Sequence, residues 1–187
     1  MIGGTLANVR GGRQSAAFVG RTGALSELAE AYAGRPVAVL VGGEAGIGKS
    51  RLVREFLAGA GIGRDEALLE EGSGLSRGAL VTPDATVKLL QFMDRHRHAK
   101  AFRDTLPIAG VDGTLRRRMK ATAAFDNARA KTGTLRYVNT LSGYVTTNAG
   151  ERLVFSLMLN NYDGSDARAD VDAMVVMLTE LDTRSQP

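Results

Sequence analysis

The end of this chain places three strand-forming segments in succession and closes with an amphipathic helix, an order that few folds satisfy. The segments are "AKTGTL" (130–135), "NTLSGYVTT" (139–147) and "RLVFSLMLNNY" (152–162). The last two are separated by "NAGE", a turn-type connection containing Gly150, so they are expected to pair as an antiparallel hairpin. In "ARADVDAMVVMLTELDT" (167–183), Val171, Met174, Val175, Leu178 and Leu181 recur at helical spacing and form one apolar stripe. Two strands alone are marginal in water, and a third strand with a covering helix supplies the missing burial. The expectation is a mixed α/β fold with an antiparallel sheet over residues 130–162, covered by the C-terminal helix. With 44% hydrophobic and 24% charged residues, the chain has the composition of a globular protein.

Upstream, Thr82 precedes Pro83 in "VTPDATVKLLQFMDRH", an N-cap followed by a proline at the first helical position, so a helix is expected to begin there. The first sixty or so residues follow another pattern. A helical stretch, "TGALSELAEAYAG", carries Leu25, Leu28, Ala29 and Tyr32 on one side, and Val37 to Val41 then reads as a short buried strand. After "GEAGIGKS" (43–50), Leu52, Val53, Phe56 and Leu57 give a second helix one apolar face.

That glycine loop fits the P-loop spacing G-x-x-x-x-G-K-[ST], between a strand and a helix as the mechanism requires. Gly43, Gly46 and Gly48 would let backbone N–H groups converge on phosphate oxygens. Lys49 would reach the terminal phosphates of ATP, and Ser50 would hold Mg²⁺. Residues 18–57, including Val19 to Arg21, resemble the opening of the AAA-type ATP-binding module of LuxR-type bacterial regulators. Hydrolysis also needs an acidic residue at the end of a neighbouring strand. The nearest candidate, "EALLEE" (66–71), is short and lacks a β-branched run. The resemblance therefore implies a nucleotide partner, with binding but not hydrolysis of ATP.

Residues from about 60 to 182 resemble the C-terminal part of the D-alanyl-D-alanine carboxypeptidase/endopeptidase family, the class C low-molecular-mass penicillin-binding proteins. The resemblance is carried by landmarks in order: "EGSGLSR" (71–77), "LVTP" (80–83), "LPIAGVDGTLRRR" (106–118), "AKTGTL", "LSGYV" (141–145) and the closing helix. It implies a partial penicillin-binding fold and a peptidoglycan peptide or a β-lactam as partner, with no cofactor for this part. Lys131 would place positive charge near a substrate carboxylate, Thr132 would bond that carboxylate, and bare Gly133 would let the substrate lie along the strand. The Thr134 backbone N–H would form half of an oxyanion hole. The division expected is a tail (1–17), a P-loop segment (18–58) and a carboxypeptidase-like part (59–187).

The family's nucleophile lies in S-x-x-K, where the lysine three residues on deprotonates the serine. Ser15, Ser26, Ser50, Ser73, Ser76, Ser142, Ser156, Ser165 and Ser185 all lack that lysine, and S-x-N is also missing. "YVN" (137–139) imitates a Y-x-N element but follows Gly133 too closely, so Tyr137 and Asn139 read as strand-connection residues. Glu71 and Ala79 depart from the usual Asp and Asn. Hydrolysis by these 187 residues alone is therefore not expected.

Other classes are excluded or muted. No apolar run approaches the ~20 residues of a spanning helix. The start lacks the apolar core of an export signal, which as written implies a cytoplasmic chain, whereas the carboxypeptidase resemblance implies a place outside the cytoplasm, so the sequence leaves localisation open. Cysteine is absent, so disulfides and thiolate metal sites are excluded. The net charge of +4 is mild, and "RRRMK" (116–120) reads as a solvated basic face with no nucleic-acid partner. His96 and His98 would face different sides of a helix and read as surface residues.

Overall fold

The computed structural model describes residues 49–164 and 166–184. The tail, the helix expected at 22–34, Val37 to Val41 and the loop glycines 43, 46 and 48 lie outside the described residues. Helix α1 (Lys49–Gly59) leads into a short ribbon of β1 (Ala67–Leu68) and β2 (Leu80–Val81), then α2 (Pro83–Arg95) and α3 (Ala99–Asp104). A 3₁₀ turn (Gly113–Leu115) precedes β3 (Arg129–Leu135), β4 (Val138–Thr146), β5 (Arg152–Asn160) and α4 (Ala167–Thr179).

The strands form an antiparallel sheet in the order β3-β4-β5. Thr147 accepts the backbone N–H of Glu151 on its hydroxyl at 3.1 Å, which fixes the turn that carries Gly150. The start of α2 follows its sequence signal, with the Thr82 hydroxyl accepting the Ala85 N–H at 3.1 Å and Pro83 in the first turn.

Alternation along the strands sends side chains to two covered faces. On one face Ala130, Leu141, Val145 and Phe155 pack with Leu115 and with Val171 and Val175 of α4. On the other, Tyr144 packs with Leu90 of α2 and Leu106, while Val154 and Phe102 border the same cluster. The sequence led us to expect one covering helix; the sheet is instead sandwiched. Tyr144 explains the difference, because its hydroxyl crosses from β4 to donate to the Leu90 carbonyl of α2 at 2.6 Å.

The stripe of α4 also shifts. Ala167, Val171, Val175 and Thr179 are the buried positions, four apart, whereas Met174 is exposed and Leu181 lies beyond the helix and exposed. Thr179 joins a buried face because its hydroxyl donates to the Val175 carbonyl one turn back, so no polar group is stranded.

Candidate functional site

The site expected from sequence sits on the outer strand of this sheet. The far edge of β3 is partly occupied: Ile108 bridges Arg129, and the Ala130 N–H donates to the Pro107 carbonyl at 3.0 Å. Among the described residues this pairing stops at Ala130. Because alternate residues of an antiparallel strand point their N–H groups the same way, Thr132 and Thr134 direct theirs outward on that open edge. Thr132 and Thr134 thus present backbone N–H groups without a strand partner among the described residues, on an edge where a peptide could add as a strand, while Lys131 and Gly133 pair with β4.

Each side chain has a definite environment. Lys131 is exposed, and its Nζ donates to the Thr132 carbonyl at 2.7 Å. The Thr132 hydroxyl donates to the Thr114 hydroxyl at 3.0 Å, so the 3₁₀ turn fixes its rotamer. Gly133 lies opposite Thr140, whose hydroxyl occupies the space a Cβ would need. A side chain at position 133 would therefore collide with Thr140 unless that hydroxyl moved.

The "SGLSR" segment reaches the same end of the sheet, with Arg77 donating from Nη2 to the Arg136 carbonyl at 3.4 Å. Its shape comes from Glu71, whose carboxylate accepts N–H groups from Ser73 at 2.6 Å, Ser76 at 3.0 Å and Leu75 at 3.2 Å. Hydrogen bonds from the Ser73 side chain first, and then from these amides, hold the Glu71 carboxyl down to about 2. Glu71 thus folds its charge inward onto the loop.

No described serine supplies a hydroxyl to Lys131. Ser142 is its direct partner across β4, yet the Ser142 hydroxyl pairs with that of Ser156 at 2.9 Å. Ser73 and Ser76 serve the loop: the Ser73 hydroxyl accepts the Leu75 N–H and Ser76 donates to Glu70 at 2.6 Å. Tyr137 does lie in the strand connection, at φ 60° with Arg136 over its ring at 4.9 Å. Asn139 does not; it sits inside β4 and is 3% exposed, because β4 starts one residue before it.

Of the P-loop residues, Lys49 and Ser50 open α1, Lys49 half-buried and Ser50 exposed. On the predicted apolar face only Leu52 is fully buried, and Val53 and Phe56 are largely exposed. Phe56 meets Phe92 edge-on, with ring centroids 6.0 Å apart. Leu57 and Ala60 pack against Ile62, Ala67, Ala85 and Leu89, so the helix after the loop shares a core with β1 and α2. The two histidines are not on opposite helix sides, because α2 ends at Arg95; their ring centroids lie 5.5 Å apart and both are half-buried. Burial and the neighbouring positive groups lower the His96 pKa.

The basic cluster divides similarly. Arg116 and Arg117 are exposed, but the Arg118 side chain is 10% exposed and grips Asp172 of α4 through Nε at 3.0 Å and Nη2 at 2.6 Å. Sequence reasoning had named Asn139 in "YVN" and the arginine in "RRRMK" without the places they take here, and it did not single out Thr114, which lies in the "GTL" landmark upstream of the Lys-Thr-Gly strand. No described helix is long and apolar enough to cross a membrane.

Comparison with known proteins bears on this geometry. Residues 36–181 match the model of the D-Ala-D-Ala carboxypeptidase 3 (S13) family. That match runs through the residues assigned above to the end of a P-loop segment, and no comparison supports a regulator-type ATPase opening. The chain is 42% identical over 140 residues to the D-alanyl-D-alanine carboxypeptidase of Actinomadura sp. (strain R39), covering 72% of this chain and 26% of that protein. It is 35% identical over 116 residues to D-alanyl-D-alanine carboxypeptidase DacB of Haemophilus influenzae, covering 61% and 24%. The crystal structure of penicillin binding protein 4 (dacB) from Haemophilus influenzae superposes with a TM-score of 0.61 at 32% identity, over 69% of this chain and 30% of that one. The chain spans about a quarter of the length of the curated relatives it matches.

Proposed function

The chain belongs to the D-Ala-D-Ala carboxypeptidase 3 (S13) family, and we propose that its residues contribute the substrate-gripping strand of a penicillin-recognising peptidoglycan hydrolase. The observation that carries this reading is the open edge of β3 from Lys131 to Thr134. A peptide ending in D-Ala-D-Ala pairs its backbone with that edge, placing its carboxylate by Lys131 and the Thr132 hydroxyl. The Thr134 N–H then faces the carbonyl that would be attacked. Related hydrolase chemistry and β-lactam recognition fit the relatives; a structure of the Haemophilus influenzae protein was solved complexed with a β-lactam.

Acyl transfer itself also needs a serine activated by a base, and no serine of the 187 residues has a lysine three positions on. A fluorescent penicillin is therefore expected to leave no covalent adduct on this polypeptide. An N-acyl-D-Ala-D-Ala peptide is expected to bind weakly and to shift the amide resonances of Thr132 and Thr134, with Lys131→Ala weakening it further. A stoichiometric penicillin adduct sinks the inactivity, and peptide shifts confined to other elements sink the grip.

A second reading keeps a nucleotide at Gly43, Gly46, Gly48, Lys49 and Ser50, with Mg²⁺ on Ser50. It rests on the G-x-x-x-x-G-K-[ST] spacing that precedes the residues of α1. Titration with Mg·ATP is then expected to give saturable binding that Lys49→Ala abolishes. Equal weak binding by both forms ends this reading.

A further inference from the structure

The Thr132 hydroxyl is half of a pair. It donates to the Thr114 hydroxyl at 3.0 Å, from the strand to the middle residue of the 3₁₀ turn. Thr114 is held from both sides along the chain. Before it, the Asp112 carboxylate accepts the Ile108 N–H at 2.7 Å, and Gly113 stands at φ 50° so near Pro107 that a Cβ would come to 3.0 Å from the proline ring. After it, Leu115 is fully buried in the core that Ala130 of β3 also enters, and its carbonyl accepts the Gly110 N–H at 3.0 Å. The segment is fastened to β3 itself through the Ala130 N–H on the Pro107 carbonyl. Thr114 therefore reaches Thr132 from a fixed point, while remaining exposed.

A hydroxyl carries one hydrogen and two lone pairs. Without ligand, the Thr132 hydrogen points at Thr114. A carboxylate only accepts, so Thr132 can donate to it only by turning that hydrogen away from Thr114. The two oxygens, 3.0 Å apart, then keep a hydrogen bond only if Thr114 becomes the donor. Its hydrogen is available, since among the described residues the Thr114 hydroxyl makes no second hydrogen bond. Donation into the Thr132 oxygen also polarises the Thr132 O–H, which strengthens its bond to an anion. A C-terminal amide makes a different demand: its N–H₂ can donate to the Thr132 oxygen and leave the ligand-free bond as it stands.

We propose that Thr114 is a positioning residue for carboxylate recognition: it presets the Thr132 rotamer and, when a peptide's C-terminal carboxylate takes the Thr132 hydrogen, it reverses their bond and donates to Thr132. This role rests on the strand-grip reading above and sharpens it, because the preference for a free C-terminal carboxylate over an amide then depends on a residue the peptide itself does not touch. Thr132 is β-branched with few favoured rotamers, so one neighbouring hydroxyl is enough to select among them.

The test compares N-acyl-D-Ala-D-Ala with its C-terminal amide by NMR titration of the 187-residue chain, unchanged and carrying Thr114→Val, Thr114→Ser, Thr132→Val or Thr114→Val with Thr132→Val. Three-bond couplings to the Thr132 methyl report its rotamer before ligand is added. The unchanged chain is expected to hold Thr132 in one rotamer and to prefer the acid. Thr114→Val is expected to average the Thr132 rotamers and to lower the acid-to-amide preference about twofold to tenfold, the range of one neutral hydrogen bond. Thr114→Ser, which keeps the hydroxyl, is expected to keep both properties. In the Thr132→Val background, Thr114→Val is expected to take nothing further from the preference, because it acts through Thr132. Equal weakening of acid and amide by Thr114→Val, an unchanged preference, a Thr132 rotamer indifferent to Thr114, or a further loss in the Thr132→Val background overturns the proposal. If neither peptide moves the Thr132 and Thr134 amides in any form, the strand grip fails and this role fails with it; averaging of the Thr132 rotamers in Thr114→Val then marks the grip, not the contact between the two threonines, as the point of failure.

Discussion

Single side chains decide how the candidate site is shaped. Glu71 was legible only as a departure from the usual Asp; the structure shows why a longer acid works, because its carboxylate reaches back over three amides of its own loop. The sign of its pH effect follows from its lowered pKa. A carboxyl near 2 in the folded chain and near 4.5 when unfolded stabilises the loop fully above pH 4.5, and that contribution fades as pH falls toward 2. The amide resonances of Ser73, Leu75 and Ser76 are therefore expected to titrate with a midpoint near 2, and Glu71→Gln to abolish that titration. A midpoint near 4.5 refutes the arrangement. Lys131 and Thr132 were readable from their motif, but Thr114, eighteen residues upstream, was not, because a hydroxyl–hydroxyl contact leaves no mark in local spacing.

Elements are joined by a few polar ties across long sequence separations. Arg118 and Asp172 are 54 residues apart, and their two-point contact pins the turn after the 3₁₀ segment to α4. Reading "RRRMK" as a solvated face was right for Arg116 and Arg117 and wrong for Arg118, since composition cannot tell which arginine meets an acid from another helix. Asp172→Ala strands a guanidinium that is nine-tenths buried, at a cost of about 3 kcal/mol. Chemical denaturation is expected to register that loss, whereas Asp170→Ala on the exposed side of the same helix leaves stability within about 0.5 kcal/mol. Equal effects from the two changes refute the tie. The strands themselves were legible from alternation and turn residues, and all three appear within a residue or two of their expected limits at their starts.

At the scale of the molecule, α1 is expected to unfold together with β1 and α2, because Leu57 and Ala60 close the same cluster as Ile62, Ala67 and Ala85. Ile62→Ala is expected to cost about 2–4 kcal/mol and to lower amide protection in α1 and α2 together. Protection lost in α2 alone would separate them. The sequence by itself determined the antiparallel sheet, the hairpin, the start of α2 and the family, since these rest on periodicity, capping and ordered landmarks along the chain. Only the tertiary structure decided which edge of β3 lacks a partner among the described residues, that the sheet is covered on both faces, and that Asn139 is buried inside β4. Those outcomes depend on groups far apart in sequence competing for one surface or one hydrogen bond, and local patterns carry no record of the winner.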